Sequence, residues 1–112
     1  MNKNIKLIIN NSLLEKKQIS FFEKNELKII LDLYAQMVSR GSWKDYGLNI
    51  SSRQIGFCIF KNSSEAAMYK ICKNFKPINK NLKYFIMDSN NKIIKNSYNL
   101  KNLIKSIDWK KL

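Results

Sequence analysis

The fold is set by residues 20–60, which read SFFEKNELKIILDLYAQMVSRGSWKDYGLNISSRQIGFCIF. In the first half of this stretch the apolar residues recur with the 3.6-residue period of an amphipathic helix. After Gly41 the apolar residues alternate with polar ones, which is the period of a strand. We therefore predict a helix over 21–40, followed directly by a sheet. The predicted apolar stripe of the helix consists of Leu27, Ile30, Leu31, Tyr34, Met37 and Val38.

Both ends of this helix carry recognisable signals. Ser20 and Glu23 have the S-x-x-E spacing of a capping box, which satisfies the first backbone N–H groups of a helix. At the other end, Arg40 suits the negative pole of the helix and Gly41 can adopt the left-handed conformation that closes it. The sequence thus predicts where the helix begins and ends.

The rest of the chain predicts a sheet and a second helix. Apolar runs separated by clusters of turn residues indicate about five strands, and their short connections favour an antiparallel meander. The run Ile55–Phe60 is apolar on both faces, which is typical of a central strand. From Asn99 the helical period returns. The predicted strands cover 46–50, 55–60, 68–75, 82–87 and 93–97.

We therefore predict one α+β domain over residues 19–112, with an N-terminal amphipathic helix, an antiparallel meander sheet and a short C-terminal helix. Residues 1–18 contain one short apolar run, Ile5–Ile9, flanked by Asn. This segment is expected to be either an N-terminal arm or an additional strand.

Composition argues against most catalytic and metal-dependent functions. The chain has no His, which removes the commonest general base and zinc ligand. No Gly-rich phosphate loop is present, and no pair of carboxylates is spaced for acid–base work. We expect a protein that is not an enzyme, with no metal and no cofactor.

The two cysteines lack the spacing of a metal or redox motif. A hairpin centred on Glu65 would place Cys58 opposite Cys72 on neighbouring strands. Two buried thiols are favoured over a redox pair, because neither cysteine lies at a helix start that would lower its pKa.

The sequence also bears on location. No apolar run approaches the ~18 residues of a membrane-spanning helix, and the N-terminus lacks the pattern of a signal peptide. We expect a cytoplasmic protein that is not inserted in a membrane.

Positive charge is the strongest compositional feature. The formal net charge is +13, of which +10 falls in residues 42–112, while residues 19–41 are neutral. Of the 21 basic residues 19 are Lys, and the chain is also rich in Asn and Ile. All three residues have A/T-rich codons, so genome composition can raise the charge without selection for a basic surface.

Two candidate sites follow from these residues. A Lys-rich sheet face could neutralise the phosphates of RNA or another polyanion; the alternative is a solvated face whose edge lysines prevent aggregation. Trp43 and Tyr46 could form an aromatic platform that stacks a base; the alternative, which we favour, is that they cover the seam between helix and sheet. The candidate polyanion-binding residues are Lys44, Arg53, Lys61, Lys70, Lys73, Lys76, Lys80 and Lys83.

The segment Glu26–Tyr46 resembles the opening block of a bacterial family, the domain of unknown function 2794 family. Its pattern, E-L-x-x-I-L-x-L-Y-x-x-M-V-x-x-G-x-W-x-D-Y, is matched here from Glu26 and Leu27 through Gly41 and Trp43 to Tyr46. The stretch 64–71 looks like a second block of the family, and the resemblance covers roughly residues 20–108. It implies an origin in alphaproteobacteria and carries no assigned activity.

The sequence therefore supports two hypotheses about function. The first is a small basic binding module that holds RNA or another polyanion. The second is a protein-interaction or assembly subunit in which the positive charge is incidental.

Overall fold

The computed structural model describes residues 21–62 and 66–111, so the predicted arm at residues 1–18 lies outside the described part. The fold is α+β, as predicted, and within these residues one helix precedes a five-stranded sheet and a short helix follows it. Single 3-10 turns lie at Lys80–Leu82 and Trp109–Lys111. The main elements are helix α1 (Lys24–Ser39), strands β1 (Asp45–Ile50), β2 (Gln54–Phe60), β3 (Tyr69–Asn74), β4 (Tyr84–Met87) and β5 (Ile93–Ser97), and helix α2 (Leu100–Lys105).

The five strands form an antiparallel meander in the order β1-β2-β3-β4-β5. Strand β2 lies inside the sheet and is buried from Ile55 to Ile59, which confirms the expectation from its apolar run. In the β2–β3 register Cys58 lies opposite Lys70 and Cys72 opposite Gly56, so the predicted Cys58–Cys72 pairing is wrong by two residues. A shift of two residues keeps every side chain on the same face of the sheet, so the alternation of apolar and polar residues does not distinguish the two registers.

The hydrophobic core lies on one face of the sheet, where helices α1 and α2 pack. Ile30 of α1 and Leu103 of α2 meet Phe57, Ile71 and Ile86 of the three inner strands there, and all five side chains are almost completely buried. A continuous core of this kind accounts for most of the stability of a small domain. Among the described residues no helix is long and apolar enough to cross a membrane.

Helix α1 starts later than predicted. It begins at Lys24 with Glu23 as its N-cap, about one turn after the predicted capping residue Ser20, which lies outside the described residues. Glu26, the third residue of the helix, accepts a hydrogen bond from the backbone N–H of Glu23 at 2.6 Å. The C-terminal prediction is confirmed, because Gly41 follows the helix with φ +78°.

The buried stripe of α1 is rotated relative to the prediction. Leu31 and Val38 are 37% and 40% exposed, whereas Leu33 and Glu26 are buried together with Ile30 and Met37. This stripe faces the sheet, where the carboxylate of Glu26 meets the ammonium of Lys73. The predicted positions Leu31 and Val38 are therefore wrong as core positions.

Candidate functional site

Four of the predicted basic residues lie at one end of the sheet. Arg53 belongs to the turn between β1 and β2, and Lys76, Lys80 and Lys83 belong to the connection between β3 and β4. In an antiparallel meander both of these connections emerge at the same end of the sheet. All four side chains are exposed. We call this set, Arg53, Lys76, Lys80 and Lys83, the basic end.

Backbone and amide hydrogen bonds hold the basic end together. The N–H of Phe75 donates to the carbonyl of Arg53 at 2.9 Å, which joins the two connections. The side-chain amide of Asn74 donates to the carbonyl of Leu82 at 2.7 Å. The carbonyl oxygen of the Asn79 side chain accepts from the N–H of Asn81 at 2.9 Å and caps the 3-10 turn. The cations are thus carried on an ordered backbone.

A groove of about 450 Å³ lies between the two connections. Its lining combines two cations, Arg53 and Lys76, with apolar side chains that include Phe75 and Ile78. Ile78 is fully exposed. A groove with this lining suits a ligand that has both an anionic group and an apolar or aromatic surface.

One exposed aromatic side chain at this end was missed by the sequence reasoning. Tyr98 is 59% exposed, and the ammonium of Lys80 lies 5.8 Å from the centroid of its ring. The residue follows β5 and directly precedes Asn99, the N-cap of α2. In the sequence, the one signal that Tyr98 is exposed is its position between two elements, because neither the strand period nor the helix period requires its side chain to be buried.

The cations of the basic end have no carboxylate partner among the described residues. The ion pairs in that part of the chain are Lys28–Asp32 and Lys73–Glu26. The positive charge at the basic end is therefore not neutralised by the described acids and remains available to an anionic ligand.

Lys73 was predicted as a polyanion-binding residue, and the structure shows that it is buried instead. Its ammonium lies 2.7 Å from the Glu26 carboxylate and donates to the carbonyl of Phe21 at 3.3 Å. β3 is the middle strand of the sheet, and Lys73 shares the core face with Ile71. The charge of Lys73 is paired with that of Glu26 inside the fold, so the assignment of Lys73 to the ligand site is wrong.

Tyr84 completes this buried network by donating its hydroxyl hydrogen to the second carboxylate oxygen of Glu26. Burial by itself raises the pKa of Glu26, but the hydrogen bonds from Lys73, Tyr84 and the Glu23 backbone outweigh it, and the pKa lies below its usual value. Burial and the bond to Glu26 raise the pKa of Tyr84. The network ties the start of α1 to β3 and β4, and its role is structural.

The remaining predicted lysines lie apart from the basic end. Lys44 and Lys61 lie at the opposite end of the sheet, where the N–H of Lys44 donates to the carbonyl of Phe60 at 3.0 Å. Lys70 lies on the sheet face that carries Cys58, and its ammonium donates to Asn91 at 3.0 Å. The expected Lys-rich sheet face is thus not formed, because Lys76, Lys80 and Lys83 lie in a connection where strand alternation does not apply.

Of the predicted aromatic platform, Trp43 lies in the core and Tyr46 packs against it. Trp43 is only 3% exposed and packs edge-on against Trp109, with 5.5 Å between ring centroids. Tyr46 stacks on Phe57 at 4.7 Å. Trp43 is buried, and Tyr46 is half-buried with one face of its ring covered by Phe57, which agrees with the favoured alternative that they cover the seam between helix and sheet.

The two thiols are buried and unpaired. Burial, with a smaller contribution from Cys58, raises the pKa of Cys72 to about 12, and burial also raises the pKa of Cys58. Both groups are therefore protonated near neutral pH and are poor nucleophiles. The described residues contain no cluster of three or more His, Cys, Asp or Glu side chains placed to hold a metal ion.

The architecture defines a small α+β protein in which two helices cover one face of a five-stranded meander and cations gather at one end of the sheet. Residues 20–104 match the family described as Protein of unknown function (DUF2794), and the chain belongs to this family. The match confirms the resemblance seen in the segment Glu26–Tyr46. No curated protein and no solved structure matches the chain.

Proposed function

We propose that this protein is a non-enzymatic binding module that holds RNA at its basic end. The observation that carries the proposal is the gathering of Arg53, Lys76, Lys80 and Lys83, all exposed and none paired with a described carboxylate. The proposal keeps the polyanion ligand expected from the composition and moves its site from a sheet face to one end of the sheet.

The physical basis is the release of counterions from the phosphate backbone. Each phosphate that a cation neutralises makes the logarithm of the affinity fall by about 0.7 to 0.9 per logarithmic unit of salt. Four cations at one end of the sheet therefore predict a slope of about −3. Lys80 and Lys83 also lie over the rings of Tyr98 and Tyr84, which limits the freedom of their ammonium groups before a ligand binds.

A reducing, cytoplasmic location forms part of the proposal. Two buried, unpaired thiols support it, because proteins of oxidising compartments more often use their cysteines in disulfides.

The experiment is a titration of a labelled RNA oligonucleotide over a series of salt concentrations. The double variant Lys76→Glu/Lys80→Glu is compared with Lys44→Glu/Lys61→Glu, which changes the net charge equally at the opposite end of the sheet. We expect the first to weaken binding by at least about tenfold and to reduce the salt slope by about 2, and the second to have a small effect. Equal losses from both double variants, or no binding at low salt, would refute the proposal.

A second candidate, a protein-interaction subunit, is favoured by strand β5. This strand ends the sheet order of the described residues, and Ile93 and Ile94 on it are substantially exposed. An exposed edge strand can pair with a strand of another protein. The test is affinity purification of the wild type and of Ile94→Lys: a single stoichiometric partner that is lost with the substitution would support this candidate, and partners retained by the variant would contradict it.

A further inference from the structure

We propose that the basic end selects single-stranded over double-stranded RNA, with one unpaired nucleotide in the groove and a second base stacked on Tyr98. This inference rests on the proposed function and deepens it, because it names the form of RNA that the site accepts.

The groove has the size and chemistry for one nucleotide. Its volume of about 450 Å³ lies within the range of small-molecule sites. Arg53 and Lys76 offer positive charge for a phosphate, while Phe75, Ile78 and Leu82 offer apolar surface for a base. A ligand that presented phosphates alone would leave this apolar surface in contact with water.

Tyr98 provides a second contact for a base. It lies across the 3-10 turn Lys80–Leu82 from the groove. Leu82 of that turn lines the groove, and Lys80 of the same turn lies over the Tyr98 ring. The side-chain amide of Asn96 donates to the carbonyl of Asn81 at 2.8 Å, which attaches the turn to β5. The strands that lead into the groove, β2 and β3, lie two to three strand spacings from β5, roughly 10–14 Å, a distance that a short extended single strand of RNA can span.

The form of the RNA decides whether these apolar contacts can be used. In a duplex the bases are stacked on one another, so a duplex presents mainly phosphates and sugars to a protein. A single strand can place its bases on apolar and aromatic side chains and its phosphates on cations at the same time. Fully exposed Ile78 and largely exposed Tyr98 therefore favour a single strand.

The test compares one RNA sequence as a single strand and as a duplex, at equal salt, by fluorescence anisotropy. Tyr98→Ala and Ile78→Ser remove exposed apolar surface without changing any charge, and Ile93→Ser at the other end of β5 is the matched control. Because stacking of one base contributes about 5- to 150-fold in affinity, we expect Tyr98→Ala to weaken single-strand binding by such a factor. The salt slope and the duplex affinity should stay unchanged, and Ile93→Ser should behave as the wild type.

The outcomes separate this inference from the proposed function. Duplex binding as tight as single-strand binding, or single-strand binding unaffected by Tyr98→Ala and Ile78→Ser, would overturn the inference and leave RNA binding at the basic end in place. Failure to bind either form would overturn both. A circular dichroism spectrum of each variant identical to that of the wild type confirms that the fold is retained.

Discussion

Lys73 shows how the surroundings of a single residue decide its function. Its strand parity places it on the face of Ile71, and its ammonium meets the carboxylate of Glu26, 47 positions earlier in the chain. The two side chains are only 9% and 7% exposed, so their charges depend on each other and on the hydroxyl of Tyr84. A lysine that looks like part of a basic surface is thereby part of the core.

Removal of one partner of this ion pair should be costly. Lys73→Met leaves the Glu26 carboxylate buried without a cation, and we expect the free energy of unfolding to fall by about 3–5 kcal/mol. The double variant Lys73→Met/Glu26→Gln leaves no buried charge and should lose less than the sum of the two single variants. Urea denaturation at neutral pH measures all four proteins. If the losses in the free energy of unfolding of the two single variants simply add up in the double variant, Lys73 and Glu26 do not stabilise the fold as a pair.

The thiols should resist alkylation in the folded protein. With a pKa of about 12 for Cys72, the thiolate fraction at pH 8 is roughly a thousandfold lower than for an ordinary thiol, and burial also limits access. We expect slow reaction of native Cys58 and Cys72 with iodoacetamide, and rapid reaction in urea. Mass spectrometry counts the modified cysteines, and rapid labelling of either one in the native protein would contradict the structure.

At the scale of elements, helix α1 shows what the hydrophobic period of a sequence can predict and what it cannot. Its existence and its end at Gly41 follow from local spacing and local conformation. Its orientation does not, because the stripes that contain Leu31 and Leu33 are almost equally apolar. Packing against the sheet, together with the Glu26–Lys73 pair, selects the stripe with Leu33.

Gly41 offers a direct test of the end of the helix. A Cβ atom at this position would meet no heavy atom within 4 Å, so any cost of Gly41→Ala comes from the φ of +78°. We expect a loss of about 1 kcal/mol in the free energy of unfolding. Gly47→Ala is the control: its Cβ would lie 3.8 Å from Phe60, an ordinary contact, and its φ is not positive. A Gly41→Ala variant as stable as the wild type would contradict this account of the helix end.

At the scale of the whole molecule, charge governs the response to pH. The net charge of +13 produces self-repulsion, which grows as carboxylates are protonated. The pKa of Glu26 is below its usual 4.5 in the folded protein, so this group adds stability above that pH. That stability is lost as the pH falls through the lower, folded-state value.

We therefore expect the urea midpoint of unfolding to fall as the pH is lowered below about 4.5. Added salt should restore the stability that is lost through repulsion among exposed charges. It should not restore the stability that is lost when Glu26 is protonated, because buried pairs are screened less. The Lys73→Met/Glu26→Gln variant should show a shallower decline than the wild type. An equal decline in both proteins would show that other carboxylates dominate the acid response.

The sequence by itself determined the order of elements, the change from helical to strand period at Gly41, the meander and the family. These features depend on short-range spacing, turn residues and one recognisable block, all of which are visible along the chain. The three lysines of the basic end were also visible as a cluster, because they lie within one connection between β3 and β4.

The tertiary structure alone decided how those pieces face one another. It rotated α1, buried Lys73 against Glu26, placed Trp43 in the core with Tyr46 packed against it, and brought Arg53 beside the connection that carries Lys76. It also left Tyr98 exposed over Lys80. The physical reason is that burial and charge pairing depend on distances between residues far apart in the chain, whereas periodicity records only which neighbours share a face.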